Sequence, residues 1–164
     1  MTDMDTRRMS DWIAIQDLVA EYGQSLDSCR DSGDWSGWAN IFAPEVTADL
    51  TRVMGGEPLT LPREHLAEFA RGSLLPFQRT QHATATTVRI RFEGETQATA
   101  LAYSEVSHYF TLGGVTQEWT LVARNTFGVV KTEEGWKIAR YMLDPIHHRG
   151  NALGLELLKG KRLE

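Results

Sequence analysis

The chain has one cysteine, Cys29, in 164 residues. That excludes an intramolecular disulfide and a cysteine-rich zinc site. No apolar run approaches the roughly 20 residues that a bilayer span requires. Positive charge is not in excess either. Lys plus Arg number 17 against 22 for Asp plus Glu, a formal net charge of -5. Basic side chains gather only at the end, at Lys159, Lys161 and Arg162, whereas a nucleic-acid reader carries a basic stripe. Met1 to Ser10 holds no apolar segment of the kind that drives secretion. No internal repeat or low-complexity segment is present. What remains is ordinary globular composition, 41% hydrophobic and 24% charged. The length suits one domain that buries roughly 70% of its unfolded surface. These properties predict one soluble, cytoplasmic domain over 1–164, with a mobile N-terminal segment (1–9) and a tail (150–164). Its partner is then a small molecule, not nucleic acid or a membrane.

Periodicity predicts helices first and strands after. Trp12, Ile15, Val19, Tyr22 and Leu26 recur at spacings of three and four, one apolar stripe of a helix over about 11–26 with Ser10 as its N-cap. The polar stretch Asp27 to Asp34 breaks that pattern. Trp35, Trp38, Ile41 and Phe42 suggest a second short helix ending before Pro44. Val46 to Val53 reads as a strand, Gly55-Gly56 as a turn, and Pro62 to Arg71 as a third helix. Four segments rich in Thr, Val, Ile and aromatic residues follow: 82–92, 97–111, 116–131 and 136–144. Turn signals separate them, so they predict an antiparallel meander in an α+β layout. A short helix over 153–158 is expected in the tail.

Alternation along the strands points to chemistry. One face of the first long strand holds His82, Thr84, Thr86, Val88, Ile90 and Phe92. The matching face of the second runs from Ala98 through Ala100, Ala102, Ser104 and Val106 to His108 and Phe110. The third presents Trp119, Leu121, Ala123, Asn125, Phe127 and Val129. Three otherwise apolar faces thus carry His82, His108 and Asn125. Buried polar groups are costly unless paired. Either these residues satisfy one another in the core, or they line a pocket, and the small Ala residues near His108 favour open space. Asp27, at the end of the predicted first helix, opposes the helix dipole. It is either a solvated loop carboxylate or one aimed at an imidazole, where it would fix the tautomer and stabilise the imidazolium. Trp12, Trp35, Trp38, Trp119 and Trp136 read as packing residues, His65 as exposed and Cys29 as incidental.

The ordered set Asp27, His82, His108 and Asn125 resembles the scytalone dehydratase group of the SnoaL-like, NTF2-like superfamily. The segments that carry the likeness are Arg79-Thr80-Gln81-His82, Val106-Ser107-His108 and Asn125, together with the spacing from Asn125 to Trp136. Ala14 to Leu18 followed by Asp27 is similar to bacterial hexachlorocyclohexane dehydrochlorinase, and the spacing from Tyr22 to Asp27 to bile-acid dehydratase. The resemblance implies a cone-like α+β barrel, with helices against a strongly curved, mostly antiparallel sheet. It also implies a lyase or isomerase without cofactor or metal and a homo-oligomer, a trimer or dimer. Asp27 and His82 match the family's dyad, His108 its second pocket histidine, and Asn125 its pocket asparagine. The two tyrosines that hold a water on the carbonyl of scytalone fall at Leu26 and Leu50, and a pocket serine falls at Ala123.

The catalytic set expected from this reading is Asp27, His82 and His108, with Tyr22, Leu50, Ala123, Asn125 and Phe127 around the substrate. His82 would take a proton next to an electron-withdrawing group, and His108 would donate to the leaving group or to an oxyanion. An isomerase or hydrolase on the same scaffold is an alternative, as is a ligand-binding protein. Two His and one Asp also match the composition of a non-haem iron triad, without its tight spacing.

Overall fold

Helix α1 spans Asp3–Ser32 in the computed structural model, which describes residues 3–85 and 87–163. It is longer at both ends than the apolar stripe predicts. The polar residues after Leu26 do not break it. Ser28, Asp31 and Ser32 are solvated on its outer side while Asp27 and Arg30 turn inward, and the helix continues to Gly33, whose φ of +77° is a conformation glycine takes readily. Residues 3–9 therefore belong to this helix, and Arg8 lies 4.2 Å over the Phe92 ring. Ser10 is not an N-cap; its hydroxyl donates to the Thr6 carbonyl one turn back. Ile15, Leu18, Val19, Leu26 and Cys29 are buried, whereas Trp12 is 42% exposed and not core.

Helix α2 (Ser36–Asn40) is shorter than predicted, and strand β1 (Phe42–Asp49) takes over at Phe42. Pro44 is tolerated inside β1 because pairing to its neighbour is interrupted between Phe42 and Thr47. The strand predicted over 46–53 stops at Asp49, whose Oδ1 accepts the Thr51 hydroxyl at 2.7 Å and starts helix α3 (Thr51–Met54). Strand β2 (Leu59–Pro62), not predicted, leads into helix α4 (Arg63–Leu74).

The predicted strand over 82–92 is two strands, β3 (Arg79–Thr84) and β4 (Arg89–Phe92). Both pair with β5 (Gln97–Leu112). Thr84 sits opposite Ser104 and Arg89 opposite Leu101, so five steps on one strand match three on the other. The surplus of two is even, and the side-chain period is two, so Ile90 and Phe92 stay on the side of His82. Thr86, assigned to that face by alternation, lies outside the described residues. Strands β6 (Val115–Thr132) and β7 (Gly135–Gly150) and helix α5 (Leu153–Leu158) complete the chain. Gly113 and Gly114, both at positive φ, close the β5–β6 hairpin with the twist such turns require.

The sheet order is β2-β1-β7-β6-β5-β3, with β4 also on β5. It is not a pure meander, because β1 joins β7 in parallel. The sheet is curved and mostly antiparallel, but open and not a closed barrel, with β2 and β3 at its edges. The inner faces of β5 and β6 are buried as alternation predicts, from Ala98 to Phe110 and from Trp119 to Val129. The alanines of β5 do not mark empty space. Ala98, Ala100 and Ala102 are buried within the apolar core. Among the described residues, no helix is long and apolar enough to cross a membrane.

The tail is anchored at α5, where Leu157 is fully buried. A Cβ at Gly154 would lie 2.3 Å from the Trp119 Cβ. Gly154→Ala should therefore destabilise the fold by about 1–3 kcal/mol through overpacking, read as a lower urea midpoint. Gly37→Ala, with nothing within 4 Å, is the control and should be neutral or stabilising. Equal midpoints for the two variants would refute the close contact.

Candidate active site

Helix α1 crosses β3 at Gly23, where a Cβ would sit 2.9 Å from the His82 carbonyl oxygen and 3.1 Å from its Cβ. Only a residue without a side chain permits this approach. One turn further on, the same helix face brings Asp27 over the open edge of β3. Asp27 Oδ2 accepts the His82 backbone N–H at 2.7 Å. Its Oδ1 meets His82 Nδ1 at 2.6 Å and accepts the Thr80 hydroxyl at 2.8 Å. The carboxylate thus satisfies an edge N–H that would otherwise be open, and it holds the imidazole. These bonds explain how a negative charge is accommodated near the end of a helix. Burial raises the Asp27 pKa, but hydrogen bonds and charge from His82, with Thr80, outweigh it and hold the carboxyl below its usual range. Because Nδ1 is committed to Asp27, Nε2 is the nitrogen left for chemistry.

His82 faces a partly open cavity of about 120 Å³ with a mainly apolar wall. Tyr22, Leu26, Leu50, His108 and Asn125 line it. Ala123 and Phe127 do not. Phe127 lies beneath Tyr141, with ring centroids 5.4 Å apart, and meets the edge of Tyr22 at 5.3 Å, so those two rings separate it from the space. The Ala123 methyl is too short to reach it, and its longer neighbours Leu121 and Asn125 form the wall there. Leu143 is part of the lining, whereas Met142 and His147 are not.

His108 is 3% exposed and packed between Phe77 and Trp119, with both ring centroids at 4.7 Å. Among the described residues, its Nδ1 has no hydrogen-bond partner. Burial, reinforced by His82 6.1 Å away, depresses its pKa to about 3. His108 is therefore a neutral imidazole at ordinary pH and no source of a strong acid. The unfolded chain would protonate this residue near pH 6.5 while the native state does not. Stability should therefore fall as pH drops from about 6.5 towards 3, by up to about 1.4 kcal/mol per pH unit from this group. His108→Phe should flatten that slope in pH-dependent denaturation; an unchanged slope would contradict the burial argument.

Three polar groups from β5, β6 and β7 form a second cluster on the inner face of the sheet. The Tyr141 hydroxyl donates to Asn125 Oδ1 at 3.1 Å, and Asn125 Nδ2 donates to Ser104 Oγ at 2.7 Å. Tyr141 was not foreseen, and strict alternation from Ile138 would point it outward. Val129 faces Ile138 but Gly128 faces Arg140, so Ala139 is an extra residue, and this bulge returns Tyr141 and Leu143 to the inner face. Ser104 was visible as a polar member of the β5 face, but nothing in the pattern marked its partners. Trp38, read as packing, also lines the cavity. Burial raises both the Tyr22 and Tyr141 hydroxyl pKa values, so the two phenols are neutral. Among the described residues, no three His, Cys, Asp or Glu side chains assemble as a metal site.

A family model for the SnoaL-like domain matches residues 7–142. The chain belongs to the SnoaL-like family. That places it in the NTF2-like superfamily, and solved structures agree. The Kfla4162 protein from Kribbella flavida is 20% identical, with a TM-score of 0.81 over 93% of this chain and 99% of its own. A scytalone dehydratase-like protein from Novosphingobium aromaticivorans is 19% identical, with a TM-score of 0.74 over 90% and 91%. The hexachlorocyclohexane dehydrochlorinase LinA-type3 from Novosphingobium barchaimii LL02 is 15% identical, with a TM-score of 0.71 over 90% and 94%. At such identities the likeness to these solved structures is one of fold, and fold alone does not carry function. No curated protein matches the sequence.

Proposed function

We propose that the protein is a cofactor-independent lyase, a dehydratase acting on a small, largely apolar cyclic substrate. The observation that carries this reading is the 2.6 Å contact between Asp27 and His82 Nδ1 at the wall of an apolar cavity. Ligand binding alone does not call for a base with its own orienter. His82 Nε2 removes a proton from carbon beside an electron-withdrawing group, and the C–H electron pair moves towards that group. Asp27 stabilises the resulting imidazolium. The pair then forms the new double bond as the C–O bond on the adjacent carbon breaks. The departing hydroxyl takes the proton back from His82 and leaves as water. Base and acid are the same residue, which suits a cavity whose second histidine is held neutral. A positioned base of this kind contributes about 10²–10⁴-fold; orientation and donors in a dry pocket supply the rest.

The neutral state of His108 also favours a second reading, an isomerase in which His82 returns the proton to a different carbon. Incubation of small cyclic β-hydroxy ketones in deuterated water separates the two. Alkene formation is the expected result, whereas deuterium uptake without elimination would establish the isomerase. If neither occurs across the panel while the ketones bind tightly, the protein is a ligand-binding module and the lyase reading fails.

A further inference from the structure

Deuterium exchange and elimination both place negative charge on the activating group, yet the positions of the two carbonyl-activating tyrosines hold Leu26 and Leu50, both lining the cavity. Another donor is needed, and the β5 wall supplies one. Ser104 Oγ accepts a hydrogen bond from Asn125 Nδ2 at 2.7 Å. Asn125 is held in that orientation because its Oδ1 accepts the Tyr141 hydroxyl at 3.1 Å. A serine hydroxyl that accepts one bond still has its own proton to give, and among the described residues no group takes it. Ser104 is 7% exposed and lines the cavity. Its proton is therefore available to whichever oxygen occupies the cavity, solvent or ligand.

The position suits the chemistry. His82 pairs with Val106 and Thr84 with Ser104, so Ser104 is the diagonal neighbour of His82 on the same face. Diagonal neighbours lie about 7–8 Å apart between Cα atoms, and somewhat less between Cβ atoms. In an enolisable carbonyl compound the acidic carbon and the carbonyl oxygen are about 2.4 Å apart, from the lengths of a C–C and a C=O bond. One contact of about 3 Å at each end lets such a fragment bridge the two side chains.

We propose that Ser104 is the oxyanion donor of this site, its hydroxyl aimed into the cavity by the Tyr141–Asn125 relay, and that the substrate's activating group is therefore a carbonyl. This rests on the reading of His82 as the base. As His82 takes the α-proton, the carbonyl oxygen becomes an enolate and receives the Ser104 hydrogen bond. Tyr141 and Asn125 are positioning residues. The relay runs in one direction, because an Asn125 that accepts from Tyr141 must donate to Ser104. A Ser104 that accepts from Asn125 keeps its own proton to give to a ligand oxygen. Tyr141, whose ring also lines the cavity, thus acts on the enolate oxygen through two intermediates.

The test uses 4-nitrophenolate as an enolate mimic and nitrobenzene as its uncharged counterpart, with binding followed by calorimetry. Ser104→Ala should weaken 4-nitrophenolate about 10–100-fold and leave nitrobenzene within about twofold. Ser104→Thr should restore phenolate affinity, and Tyr141→Phe should weaken it by a smaller factor. Equal phenolate affinity in the wild type and Ser104→Ala, absent phenolate binding in the wild type, or a parallel loss of nitrobenzene would each overturn the proposal. The base is judged separately, by deuterium uptake into cyclohexanone in His82→Ala. Lost uptake with unchanged phenolate binding in Ser104→Ala would refute the donor alone. Retained uptake would refute the base, on which the proposal rests.

Discussion

Asp27→Asn should lower turnover about 10³–10⁴-fold, and His82→Ala at least as much. The asparagine keeps the shape and still offers one oxygen to the His82 backbone N–H. Its amide, however, presents N–H where Asp27 Oδ1 now meets His82 Nδ1 at 2.6 Å. The imidazole must then accept at Nδ1, which places its proton on Nε2, the nitrogen meant to be the base. In an Asp–His pair of the serine-protease kind the same exchange costs about 10⁴. Lost stabilisation of the imidazolium acts in the same direction. Steady-state kinetics on a ketone turned over by the wild type would measure this, and a loss below about tenfold would rule the dyad out as the catalytic unit. The substitution has a second signature in stability. The Asp27 pKa in the native state is below its ordinary value, so its contribution is present above the unfolded pKa. It is lost as pH falls through the native one. Asp27→Asn should therefore remove part of the acid limb of the stability profile, below about pH 4.

Gly23→Ala should reduce kcat about 10–100-fold while changing stability comparatively little. Alanine gains about 1 kcal/mol of helix propensity over glycine. Against this, its methyl would lie 2.9 Å from the His82 carbonyl oxygen, 3.1 Å from the His82 Cβ and 3.2 Å from Thr84 Oγ1. Backbone and a strand Cβ cannot swing aside as a flexible side-chain end can, so helix and strand must separate by a few tenths of an ångström. Overpacking of this sort costs about 1–3 kcal/mol, partly offset by the propensity gain. The dyad sits one turn from the contact and bridges the same two elements, so its geometry absorbs the separation. Misplacement approaching 1 Å costs about 10²-fold in rate. The measurement is kcat set beside the urea midpoint for the same protein. Unchanged kcat, or a loss matched by global unfolding, would show that the crossing does not set the dyad.

Much of this site is legible in one dimension because strands alternate. His82, Ser104, His108 and Asn125 occupy inner faces that period-two counting identifies, and β5 and β6 are long and unbroken enough for the count to hold. Ala123 and Phe127 satisfy the same count yet miss the cavity. Alternation sets a face, whereas depth along that face depends on the rings of Tyr22 and Tyr141 that stand in front. Tyr141 shows the opposite failure. Ala139 adds one residue to β7, the parity reverses, and a side chain that counts as outward points in. Nor does any local pattern carry α1 past Leu26, since its last polar turn is defined only by where Gly33 ends it.

By itself, the sequence determines a single α+β chain whose inner strand faces are apolar except at a few positions, because hydrophobic periodicity is a local property of consecutive residues. Its resemblance to a known family adds the pairing of Asp27 with His82. Tertiary structure alone decides that Asp27 reaches His82 across Gly23, that His108 is dry enough to remain neutral, and that Tyr141 and Asn125 leave the Ser104 proton free. Each of these depends on residues far apart in the chain meeting within a few ångströms, where desolvation and hydrogen-bond direction, not residue type, set the chemistry.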